Sequence, residues 1–175
     1  MPASPDPVFG SEPLTLGVSL GIPVATVLVS VVVKRGTGRG VTAPIAIGIG
    51  AGYAAACLAL WLGARVIASS QVLTAGGSSL AFLIGVGGAF LWAKATAPVW
   101  LYGRFHLFGP LFALAIVTTF VVYAFLGVHG ETDPLALYVL FGPFLVAGIL
   151  LVGVLEWTIR RLFGLTGASS GVRSR

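Results

Sequence analysis

Two groups of side chains in this sequence have the types and spacing for chemistry. His129, Glu131 and Asp133 stand at alternate positions in His129-Gly130-Glu131-Thr132-Asp133, and imidazole with carboxylates is a donor set that zinc accepts. The competing reading is a tight polar loop in which Asp133 caps the following helix, because Pro134 suits a first helical position. The cap is the stronger reading, so these three are candidate ligands and no metal is expected. The second group is charged. Arg65, Lys94 and Glu156 lie in or beside apolar runs, and Arg104 lies in an aromatic and basic stretch with Trp100, Tyr102 and His106. An ionisable side chain at membrane depth is costly and marks a ligand or ion path, so these four are the candidate binding residues.

Each has an ordinary reading as well. Arg65 comes about 33 Å along its helix, at an interface, where a long cation snorkels to water. Glu156 can pair with Arg160 one helical turn on. Lys94 comes only about 22 Å along if its helix starts at Ser79. It is expected to snorkel beside Trp92 and Trp100; the alternative is an amine facing the bundle that receives an anionic headgroup or a partner's carboxylate. His106 and His129 are 23 residues apart, roughly 34 Å if helical, so they cannot share one haem iron. Cys57 is the single cysteine, in an Ala-rich run, and reads as a small packing residue. No HExxH, Walker, GxGxxG or CxxC pattern occurs, and Gly77-Ser78-Ser79 lacks the glycine that closes a nucleophile elbow. The chain is read as a non-enzyme, with no cofactor expected.

The elements that must hold these residues are set by composition. Of 175 residues 57% are hydrophobic and 9% charged, against roughly 25% charged in soluble domains. The mean hydropathy is +1.04. Apolar surface on this scale needs lipid, so the fold class is an all-α integral membrane helix bundle. The net charge of +5 then reports orientation and does not indicate nucleic acid.

Five apolar segments follow, at 14–33, 43–68, 79–97, 107–128 and 135–157, the last reaching toward Phe163. Pro44 and Pro110 fall in first turns, Pro23 and Gly142-Pro143 fall inside segments and predict bends, and Pro98 is placed just after a helix end. The polar stretch 1–13, with Pro2, Pro5, Pro7 and Pro13, reads as a loosely held leader without the positive region of a signal peptide. The Ser/Gly/Arg stretch 164–175 reads as a disordered tail. Pairs of small residues four apart, Gly17 and Gly21, Gly48 and Gly52, Gly85 and Ala89, predict close helix crossings, first of all within the chain.

Five spans put the termini on opposite sides. With the N-terminus outside, nine of the ten Lys and Arg fall inside, Arg65 being the exception, and four of the five acids fall outside. The expected location is the cell membrane, with anionic headgroups as partners of the basic cytoplasmic side. A small accessory subunit acting through contacts with itself or another membrane protein is the leading functional expectation. A transporter or channel component with Gly/Pro-broken helices is the alternative. The topology makes the first prediction: single cysteines placed in the turn 34–41 of a Cys57→Ala background resist an impermeant thiol reagent in intact cells. Labelling of that turn from outside would reverse the orientation.

Overall fold

Hydrocarbon offers a backbone N–H or C=O no partner, so a chain this apolar closes its hydrogen bonds within helices. The computed structural model describes residues 10–37, 41–67, 77–127 and 133–164. It has five helices and no strand among them: α1 (Glu12–Thr37), α2 (Ala43–Ile67), α3 (Gly77–Phe105), α4 (Gly109–Phe125) and α5 (Pro134–Leu162). The expected all-α bundle is what the chain forms. Four helices, α1, α2, α3 and α5, are long and apolar enough to cross a membrane. α4 has 17 residues, about 26 Å, at the short limit for a span. Of the expected leader 1–13, residues 1–9 lie outside the described residues, as do His129, Glu131 and the tail from 165 onward, while Glu12 and Pro13 open α1.

The boundary at Pro98 needs correction. α3 does not stop at Ala97 but runs on to Phe105 with Pro98 inside it, and Val99 and Tyr102 beyond the proline are buried in the core. The lost hydrogen bond of a proline favours ending a helix where water can take over the freed groups, whereas in lipid the packed helix is retained. What ends α3 is His106, whose φ of 57° is left-handed and whose N–H still reaches the Tyr102 carbonyl at 3.1 Å. α1 and α5 likewise continue through Pro23 and Pro143. α4 is shorter at both ends than segment 107–128.

The helices share their broadest surfaces as α2 with α3, α3 with α5, and α1 with α4. Contacts between Gly87 and Leu135 at one level and Leu101 and Gly153 at another show α3 and α5 running parallel. The core between the helices is Trp61, Leu91, Leu114, Val122, Phe125 and Ile149, all essentially without exposure. α1 buries a hydroxyl face, Thr15, Ser19, Thr26 and Ser30. Each of these hydroxyls donates to the carbonyl four residues earlier, at 2.6–3.0 Å, which satisfies it within its own helix.

The small-residue expectation fails in an informative way. Nothing within 4 Å would meet a Cβ at Gly17, Gly21, Gly48, Gly52 or Gly85, so these positions are not crossings within the chain. Spacing of four marks a face but cannot say which way it turns. The described glycines that do admit a neighbour are Gly50, Gly87, Gly88, Gly103, Gly109, Gly142 and Gly153. At Gly103 an added Cβ would stand 2.6 Å from Val41 Cβ and 2.8 Å from the Val41 carbonyl oxygen, and that backbone cannot move aside cheaply. Gly103→Ala is therefore expected to lower stability by about 1–3 kcal/mol. Gly52→Ala should leave it within about 0.5 kcal/mol. Thermal unfolding of the two proteins in one detergent checks this, and equal effects would contradict the packing.

Candidate functional site

Polar side chains inside this bundle gather at three levels, and two of them are explained by helix ends. At one end, Asp133 takes an extended conformation before α5, and its Oδ1 accepts from Leu135 N at 2.7 Å, the cap expected from Asp-Pro. The same carboxylate accepts from Trp61 Nε1 at 3.3 Å and lies 3.3 Å from Arg65 Nε. Arg65 is 3% exposed, so it does not snorkel. The acid that caps α5 also gives the guanidinium an internal partner, which distance along α2 could not reveal. The Asp133 carboxylate is thus committed to structural contacts, while His129 and Glu131 lie outside the described residues. No three metal-ligating side chains converge among the described residues.

At the opposite end, the turn from α3 to α4 is held from both sides. Lys34 of α1 sits 3.9 Å over the Tyr102 ring, donates to the Tyr102 carbonyl at 3.4 Å and to His106 Nδ1 at 2.7 Å. A cation at the last carbonyls of α3 complements its dipole. Glu156 of α5 does the converse for α4. Its carboxylate accepts from Phe108 N at 3.2 Å and Gly109 N at 2.6 Å, where the N-cap residue Phe108 has no capping side chain. Glu156 also pairs with Arg160 at 2.5 Å, the expected i,i+4 contact. Arg161 stacks over Trp157, and Arg104 is exposed in the last turn of α3.

The third level is not a helix end. Lys94, in the middle of α3, is 0% exposed, and its Nζ has no hydrogen-bond partner among the described residues. Snorkelling beside Trp92 and Trp100 is thereby overturned. Those indoles lie on the exposed side of α3, whereas Lys94 shares the inner face with Gly87, Leu91, Ala95 and Pro98. Among the described residues no Asp or Glu makes a salt bridge with Lys94, and Glu156 is engaged elsewhere. The amine stands instead against aromatic faces, 5.5 Å from the Tyr53 ring centroid and 5.1 Å from that of Tyr138. Tyr53 Oη shares a hydrogen bond of 2.8 Å with Thr118 Oγ1, and Cys57 lies one turn along α2 from Tyr53. The Tyr138 hydroxyl is buried with no partner among the described residues.

Four helices thus deliver this site: Tyr53 and Cys57 from α2, Lys94 from α3, Thr118 from α4 and Tyr138 from α5. Tyr138 also lines a groove of about 540 Å³ between α4, α5 and the start of α1, whose other walls are mostly apolar, with Thr15 and Tyr123 as the exceptions. The arrangement can hold an anion or an acid. It has a donor amine, a donor phenol, an apolar surround that strengthens any charge interaction, and no carboxylate paired with the amine among the described residues.

Comparison with protein-family models, with curated proteins and with solved structures finds no match to this chain. Of the sequence candidates, only Lys94 belongs to this central site; Arg65, Arg104 and Glu156 lie at the helix ends. Tyr53, Tyr138 and Thr118 were missed. A signal existed for Tyr53 alone: it lies ten residues into α2, well away from the interfacial belts where membrane tyrosines collect, whereas Tyr138 is in the second turn of α5.

Glu156 gives a test of the end-capping account. Glu156→Ala should cost about 1–3 kcal/mol because two backbone donors of α4 lose a charged acceptor. Arg160→Gln should cost under about 1 kcal/mol, since it removes only a half-exposed pair. Unfolding midpoints measured on both variants check the difference; equal losses would assign the whole effect to the ion pair.

Proposed function

We propose that this protein is a multi-pass membrane protein of five spans, N-terminus outside and C-terminus cytoplasmic, whose interior binds an anionic or acid-bearing ligand as part of a small transporter or channel system. The observation that carries the reading is Lys94, fully buried at mid-helix with no hydrogen-bond acceptor among the described residues. A buried polar group without a partner costs stability, and membrane proteins retain such groups where function needs them. Lys94 is placed by four packed helices and not by a mobile loop, so the cost is built into the fold. The basic end, with Arg35, Arg104, Arg160 and Arg161, faces anionic headgroups in this orientation, at about 1 kcal/mol for each cation near the surface.

A second reading, contact with another membrane protein or a second copy, is favoured by the outward glycines. Gly17 and Gly21 on α1 and Gly48 and Gly52 on α2 leave open surface where another helix could approach closely. The two readings are compatible, since transport systems are commonly built from several chains, but this one does not account for Lys94.

Lys94→Met separates a ligand-binding lysine from a structural one. The thioether chain keeps the length and removes the amine, so the ligand-free variant should be more stable than the parent by roughly 1–3 kcal/mol. Thermal unfolding of purified protein, extensively washed in detergent, reads the sign. A clear loss of stability in Lys94→Met would make the amine a structural element and remove the basis of the reading.

A further inference from the structure

The groove beside the central site indicates what kind of molecule the amine receives. It lies between the second half of α4, the first half of α5 and Thr15 of α1, on the level of Phe125 and Pro134. Its walls include Phe120, Leu137, Phe141, Phe144 and Leu145. Phe120 and Phe144 are 73% and 71% exposed on the outer surface of apolar helices, so the groove opens sideways toward hydrocarbon. Its volume, about 540 Å³, falls within the roughly 300–1,000 Å³ of ordinary ligand sites.

Tyr138 is the lining residue that reaches back to the central site. It is 4% exposed, its hydroxyl has no partner among the described residues, and its ring stands 5.1 Å from Lys94 Nζ. The lining has two other hydroxyl groups: Thr15 already donates its own to the Ser11 carbonyl at 3.0 Å, and Tyr123 is 37% exposed at the outer surface, so Tyr138 is the buried donor. One buried donor with an amine behind it, at the end of a long apolar wall, suits a molecule with one acidic group and one apolar tail.

Resting on the ligand-binding reading above, we infer that this groove binds a single-chain carboxylic acid of lipid length. The tail lies against Phe120, Phe141 and Phe144; the carboxyl group accepts from the Tyr138 hydroxyl within the field of the Lys94 amine. The acid enters laterally from the bilayer. One carboxylic acid plus one amine carries the same protons as one carboxylate plus one ammonium: the acid O–H bond breaks, an N–H bond forms, and no net charge crosses hydrocarbon. A charged, strongly hydrated anion arriving by the same route would have to shed its water in the membrane first. A neutral alcohol of equal length would fill the groove without engaging the amine.

The experiment uses the full-length protein in a maltoside detergent and follows its unfolding temperature against added palmitate, hexadecanol and propionate. Palmitate should raise the midpoint in a saturable way. Hexadecanol should bind at least about tenfold more weakly, the loss expected for a charge-assisted hydrogen bond. Propionate should have no effect. Lys94→Met should abolish the difference between palmitate and hexadecanol, and Tyr138→Phe should weaken palmitate by about tenfold. Leu137→Trp, which fills the groove without touching either donor, should weaken all long-chain binding. A photoreactive diazirine palmitate should map to α4 and α5 around Phe120 and Phe144 in the parent protein, a result independent of any variant's stability. If propionate binds through Lys94 and Leu137→Trp does not alter it, the amine serves a small hydrophilic anion; the lipid inference fails and the broader reading stands. If no acid shifts the midpoint and Lys94→Met is destabilising, both fail.

Discussion

Inside hydrocarbon a polar group has only the protein to bond with, and almost every feature of this bundle answers to that constraint. Prolines that would end a helix in water are carried through α1, α3 and α5, because breaking the helix would free carbonyls with nothing to receive them. The hydroxyls of α1 turn back onto their own helix. Where helices must stop, charged side chains from elsewhere close the ends. Lys34 of α1 serves the last carbonyls of α3, Glu156 of α5 serves the first N–H groups of α4, and Asp133 serves α5 while holding Arg65 and Trp61. These contacts tie α1 and α5 to the α3–α4 turn, which neither adjoins in sequence.

Lys94 and Tyr138 are the places where the rule is left unfulfilled among the described residues of the central site. An amine and a phenol donor, both buried and both unpartnered, stand where α2, α3, α4 and α5 meet. Local polar groups that cost stability and persist are the features by which a site distinguishes itself from packing. The amine stands over the faces of Tyr53 and Tyr138, and a ring face offers it no oxygen acceptor as a carboxylate would. This pair of donors beside the groove is what supports the proposal of an acid-bearing ligand.

Much of the fold was legible because hydropathy and helix-end chemistry act locally. The five helices, the Asp133 cap before Pro134 and the Glu156–Arg160 pair all depend on residues a few positions apart. The Arg65–Asp133 pair and the Glu156 cap on α4 span 68 and 47 residues of sequence, beyond what any window can see. Lys94 failed for a different reason. Its depth along α3 was readable, but which way it faced depends on the angle of the helix about its own axis. That angle is set by packing against α2 and α5, through Gly50 beside Thr96 and Gly87 beside Leu135. The outward Gly48 and Gly52 carried the same ambiguity and resolved the opposite way.

The position of the Lys94 Nζ can be read directly, because Lys34 is the one other lysine in the sequence. Solid-state NMR on protein in bilayers, with ¹⁵N at lysine Nζ and ¹³C in tyrosine rings, reads that position directly. A Lys34→Arg background leaves Lys94 as the only lysine signal. The Lys94 Nζ should show dipolar contact with tyrosine ring carbons at separations consistent with 5.1 and 5.5 Å to the ring centres, and none with the lipid phosphorus. Contact between Lys94 Nζ and headgroup ³¹P, with no tyrosine contact, would place the amine at the interface and contradict the central site.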